Sequence, residues 1–111
     1  MANAIAIAFD RAGVAEMSCI AGVGGGVKPL VRLAASGRQI IALDGCALAC
    51  VKACLAQHGI APTAHFVLAE LGVKKVVHED PDPRETRAAE QHVLARLRDA
   101  GLLDEAHPPT L

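Results

Sequence analysis

The chain has 111 residues, a formal net charge of -1 and 52% hydrophobic residues, of which only Phe9 and Phe66 are aromatic. That length holds one core and excludes a second, and the near-neutral charge with almost no stacking rings speaks against a nucleic-acid partner. The apolar stretch over residues 2–9 falls far below the ~20 residues of a membrane span and has no basic region before it, so neither a membrane partner nor export is expected.

In chain order, residues 3–12 predict an amphipathic helix with Ile5, Ala8, Phe9 and Ala12 on one face and Gly13 as its stop. Residues 14–18 predict a short extended segment. Residues 19–27, CIAGVGGGV, predict a glycine-rich loop, and Pro29 suits the first turn of a helix reaching Ala35. The apolar, β-branched run 39–43 predicts a strand covered on both faces, ending at Asp44. Residues 46–58 predict a helix stopped by Gly59, residues 65–68 another strand ending near Glu70, and residues 74–77 a short fourth one. After the loop HEDPDP, residues 84–100 predict an exposed amphipathic helix docked by Ala88, Val93, Leu94 and Leu97.

Strands alternating with helices predict an α/β fold: a three-layer α/β/α, Rossmann-like sandwich around a small parallel sheet built from segments near Val14, Ile40 and Phe66. One domain is expected over residues 1–100, with a loose tail over 101–111. In such sheets sites form beyond the carboxyl ends of the strands, where Cys19, Asp44, Cys46 and Glu70 fall.

Four cysteines in a chain with no export signal point to thiols, metal ligands or redox groups in the cytoplasm rather than to a disulfide frame. On a helix starting at Cys46, Cys46 and Cys50 share one face, so both sulfurs can reach one zinc ion at ~2.3 Å. Unpaired N–H groups at the helix start also favour negative charge on Cys46. Cys54, eight residues from Cys46, rises ~12 Å along the helix and belongs to the core. Gly22, Gly24, Gly25 and Gly26 let backbone N–H groups approach an anion or a metal-bound ligand, or simply make a tight turn. A dinucleotide fingerprint in this loop fails at its third glycine, which is Val27. Asp44 either pairs with Glu70 or caps the helix after it, and His58 sits in a last helical turn, where a cation meets the dipole; His65, His78, His92 and His107 stand alone.

The motifs MSCIAGVGGGV (17–27), IIALDGCALAC (40–50) and ELGVKK (70–75) resemble the DGC-domain family, named for the tripeptide Asp44, Gly45, Cys46. The likeness covers about residues 1–77. It implies zinc held by thiolates, with Cys19, Cys46 and Cys50 at the family's cysteine positions and Asp44, Gly45 and the glycines around them. No catalytic activity follows from it. The family pattern also has an earlier cysteine in a turn before the first helix, and residues 3–12 resemble a crossover helix with no strand ahead of it, so the chain reads as an N-terminally shortened form. An exposed sheet edge and a homo-oligomer paired along it would follow, together with an open fourth metal position. A thiol redox enzyme with Cys46 attacking and Cys50 or Cys19 resolving, and an iron–sulfur protein, are the competing readings.

Overall fold

The computed structural model describes residues 1–72, 82–103 and 109–111. The expected strand at 74–77 and most of the loop after it lie outside these residues. Among the described residues eight elements follow in order: α1 (Ala2–Arg11), α2 (Ile20–Gly24), α3 (Lys28–Ala34), β1 (Ile41–Asp44), α4 (Cys50–Ala56), β2 (Ala64–Val67), a 3-10 turn (Leu68–Leu71) and α5 (Pro83–Asp99).

Local chemistry sets the ends of the helices. Gly13 takes φ 71 after α1, and the bonds from Gly13 N–H to the Asp10 carbonyl (3.1 Å) and from Val14 N–H to Phe9 (2.9 Å) close the helix in a Schellman motif. The same closure ends α5 at Gly101, where Leu102 N–H reaches the Leu97 carbonyl at 3.0 Å and both side chains are buried. Asp82 caps the start of α5 by accepting from Arg84 N–H at 2.8 Å, with Pro83 in the first turn.

β1 and β2 form a two-stranded parallel sheet in the register Ile41↔Ala64 to Asp44↔Val67, joined by α4. β1 is buried throughout, and its alternating side chains feed two cores. Ile41 and Leu43 pack with Ile5 and Phe9 of α1 and Val93 and Leu97 of α5. Ile40 and Ala42 pack with Val23 of α2, Ala34 of α3 and Leu55 of α4. The fold is therefore mixed α/β around a small parallel sheet. No helix among the described residues is long and apolar enough to cross a membrane.

Two expectations are corrected. The segment 14–18 makes no strand of its own: it contributes a single parallel bridge at Glu16, and the partner is Thr110. Nor are residues 109–111, the described end of the tail expected to be loose, free of the fold. Thr110 bridges both Glu16 and Ile40, Pro109 is fully buried, and Thr110 is 4% exposed. A polar, proline-bearing end carries no periodicity from which such docking can be read; burial of Pro109 and backbone pairing hold it in place.

Candidate functional site: the thiol edge beyond β1

Asp44 ends β1 at 3% exposure, and its carboxylate is fully engaged. Oδ1 accepts from Val51 N–H at 2.7 Å, and Oδ2 accepts from Lys52 N–H at 3.3 Å and from His65 Nε2 at 2.7 Å. A carboxylate only accepts here, so the ring hydrogen sits on Nε2. Asp44 thus caps α4, as one of its two sequence readings has it, and is not paired with Glu70, which lies exposed in the 3-10 turn. His65, expected to stand alone, is its partner across the sheet.

The cap moves the start of the helix. α4 begins at Cys50, four residues later than expected, because the Asp44 carboxylate meets the N–H groups of Val51 and Lys52, and Ala49 before them adopts a left-handed φ of 52. Residues 46–49 form a turn closed by Ala49 N–H on the Cys46 carbonyl at 3.1 Å. Cys46 and Cys50 therefore do not share a helical face: Cys46 is half-buried in the turn, Cys50 is exposed at the first position of α4, and Leu48 between them is 77% exposed.

The glycine-rich stretch is also corrected. Residues 20–24 form α2, and Gly26 (φ 74) ends it, with Val27 N–H on the Gly22 carbonyl at 2.9 Å. Gly22 and Gly24 serve close packing: a Cβ on Gly22 would run into Leu30 of α3, and one on Gly24 would lie 2.9 Å from Cys54 Sγ. Gly25 continues the turn and Gly45 opens the one after β1. Cys54, expected in the core, is half-buried, with its Sγ beside Gly24 of α2. His58 lies beyond the end of α4, and its Nε2 donates to the Val23 carbonyl at 2.6 Å, bonding the end of α2 instead of its own helix.

These contacts fix the relation of the two short helices. The last residues of α2 (Val23, Gly24) meet the last part of α4 and the residue beyond it (Cys54, His58), while Ile20 and Val51 near their starts line one cavity. α2 and α4 accordingly run in the same sense. Cys19, the residue before α2, and Cys50, the first of α4, stand at the same end of the pair. All four cysteines are free. In kind, three thiols suit a soft divalent ion such as zinc. In arrangement, no three His, Cys, Asp or Glu side chains among the described residues converge on one point, so the donors are not preassembled.

The Gly24–Cys54 contact supplies a testable sign reversal. Gly24→Ala is expected to cost ~1–3 kcal/mol by overpacking. In a Cys54→Ala background the same change should become neutral or favourable, because alanine exceeds glycine in a helix by ~1 kcal/mol. Urea unfolding of both single variants and the double measures the reversal.

A curated relative from Pseudomonas aeruginosa (strain PAO1), the "Anaerobic and virulence modulator AnvM", is 61% identical over 80 residues, which cover 72% of this chain and 61% of the relative. The chain thus spans about three fifths of that relative's length. No solved structure matches the chain. The DGC domain model matches residues 1–93, from α1 through Asp44, Gly45 and Cys46 into α5, and the chain belongs to the DGC-domain family.

Proposed function

We propose that this chain is a cytoplasmic thiol module that binds a thiophilic metal ion, zinc, through Cys19, Cys46 and Cys50, within a three-layer, Rossmann-like arrangement of its helices about the sheet. The observation that carries the reading is the placement of free thiols at the start of two co-directional helices and in the turn between β1 and α4. Three protein thiolates and an open fourth position are a known pattern for zinc, and the open position can be taken by water or by a side chain of a second copy paired along the sheet edge. The ion would supply charge to hold three thiolates together. The protein's part is to bring them there: Asp44 pins both ends of the turn 45–49, so Cys46 can swing while Cys50 stays fixed at α4. Binding is then coupled to closure of that turn, in keeping with a role in metal homeostasis or sulfur handling.

A second reading has its own observation. Cys19 and Cys50 share one end of a helix pair, an arrangement that also suits a reversible disulfide, in which two thiols give two protons and two electrons to an external disulfide such as oxidised glutathione. The relative's name as an anaerobic modulator is compatible with either reading.

Purification without oxygen, followed by metal analysis, separates the readings. The expected product is colourless with up to one zinc per chain; Cys46→Ser and Cys50→Ser lose it and Cys54→Ser keeps it. A brown protein containing iron and sulfide indicates a cluster. A metal-free protein that oxidised glutathione converts to a Cys19–Cys50 disulfide indicates the redox reading.

A further inference from the structure

Five residues are too few for a helix to hold its own direction, so the line of α2 is set by what touches it. Gly22 lies against Leu30 of α3, Gly24 against Cys54 Sγ of α4, and Val23 is buried in the core that Leu55 of α4 shares. These are packing contacts, which fix distance better than direction. The one directed bond between α2 and the α4 segment among the described residues runs from His58 Nε2 to the Val23 carbonyl, at 2.6 Å.

Both partners of that bond are themselves held. The Val23 carbonyl, in the last turn of α2, accepts Gly26 N–H at 3.1 Å as well as His58, which uses both of its lone pairs. On the other side Gly59 (φ 70) closes α4 in a Schellman motif. Gly59 N–H donates to Ala56, and the N–H groups of His58 and Ile60 both donate to Leu55, each at 3.0 Å. His58 is thus fixed through its backbone, and half-buried, before its ring reaches α2.

The two thiols lie at the opposite end. Cys19 precedes Val23 by four residues, ~6 Å of helix, and Cys50 precedes His58 by eight, ~12 Å. No hydrogen bond among the described residues joins α2 to α4 there. The start of α4 is tied to β1 through Asp44, Cys19 is extended without a side-chain cap, and Ile20 and Val51 pack on the core they share. Two short rods joined by a bond at one end and by apolar contact at the other take their mutual angle from the bond.

We propose that His58 is the positioning residue of the Cys19–Cys50 pair: its bond to Val23 sets the angle between α2 and α4, and with it how often the two sulfurs meet. The inference rests on the reading in which these thiols form a reversible disulfide. In that exchange Cys19 and Cys50 give two protons and two electrons to oxidised glutathione, which leaves as two molecules of reduced glutathione. His58 takes no part in the exchange and acts through α2.

The test equilibrates the full chain with set ratios of reduced and oxidised glutathione, quenches with acid, alkylates the remaining thiols and measures the Cys19–Cys50 disulfide by mass spectrometry. His58→Phe keeps a ring and removes the donor, and should lower the equilibrium constant for the disulfide at least fivefold. His58→Gln places an amide N–H where Nε2 stood and should restore the constant to within twofold of the parent. The alkylation rate of Cys46, whose turn is pinned by Asp44, should be the same in all three. A His58→Phe chain with a lowered unfolding midpoint but the parental constant overturns the proposal, making the bond purely structural and leaving the disulfide reading intact. A fall accompanied by an equal rise in Cys46 alkylation also overturns it, since that marks general loosening. A parent that forms no Cys19–Cys50 disulfide at any ratio overturns the disulfide reading and this proposal with it. Should His58→Phe not fold, His58→Asn, whose shorter amide stops short of the carbonyl, gives the same comparison with the same expected fall.

Discussion

Replacing Asp44 by alanine is expected to destabilise the protein by ~3–4 kcal/mol, from the loss of a helix cap (~0.5–2) and of a charge-assisted bond to a ring N–H (~1.5–3). Three donors converge on this one carboxylate: Val51 N–H, Lys52 N–H and His65 Nε2. Neither Ala49, at the cap position of α4, nor any other side chain of the turn caps the helix start, so nothing local replaces the carboxylate. Asp44→Asn keeps the shape and one accepting oxygen, and should lose about half as much. His65→Ala should cost less than Asp44→Ala, since the carboxylate keeps its two backbone donors. Urea unfolding gives the three values, and a double-mutant cycle between positions 44 and 65 gives their coupling. Amide exchange at Val51 and Lys52 supplies the local check: both should accelerate in Asp44→Ala more than amides of α5. A Val51 amide that exchanges as slowly in the variant as in the parent would show that the start of α4 is held by something else. For the thiol edge, an unpinned α4 means that Cys50 loses its fixed place beside the turn that carries Cys46, so zinc affinity should fall with the cap even though Asp44 is not proposed as a ligand.

Much of this frame is legible in the residues. The apolar run ending at Asp44 and the run around Phe66 mark β1 and β2 because buried parallel strands need no polar alternation. Helices α1 and α5 are long enough for a 3.6-residue period to show, and Gly13 and Gly101 mark their ends. What stays hidden is decided by contacts distant in sequence. α2 has five residues, too few for periodicity, and two of them and the two residues that follow are glycines, which disfavour a helix until α3 and α4 pack against it. The start of α4 depends on how far the Asp44 side chain reaches after the chain has turned, which spacing does not encode. His65 had a signal that could have been used. Ala64 and Phe66 face the core shared with α1 and α5, so His65 alternates onto the face that Ala42 and Asp44 share, and a lone polar residue there needs a buried partner.

Ending the chain after residue 108 should be the most damaging change of all. Residues 109–111 make five backbone hydrogen bonds to two other segments. Glu16 N–H donates to Pro109 (2.8 Å), Leu111 N–H to Glu16 (2.8 Å), Thr110 N–H to Gln39 (2.8 Å), Ile41 N–H to Thr110 (2.7 Å) and Ser18 N–H to Leu111 (3.2 Å). At ~1 kcal/mol each these come to ~5 kcal/mol, before the burial of Pro109 is counted. Ile41 is 1% exposed, so its N–H would be stranded at a further ~1–3 kcal/mol. Set against the ~5–15 kcal/mol that holds a domain of this kind, such a loss leaves a largely unfolded chain. Thr110→Val is the control that separates backbone from side chain. It keeps every bond named here and removes only a buried hydroxyl without a partner among the described residues, so its stability should equal or exceed that of the parent. Circular dichroism and urea unfolding of the two variants side by side should show a lost transition for the truncation and an unmoved or raised midpoint for Thr110→Val. A truncated chain that unfolds at the parent's midpoint would mean that the segment 14–18 and the edge of β1 are held together without the tail.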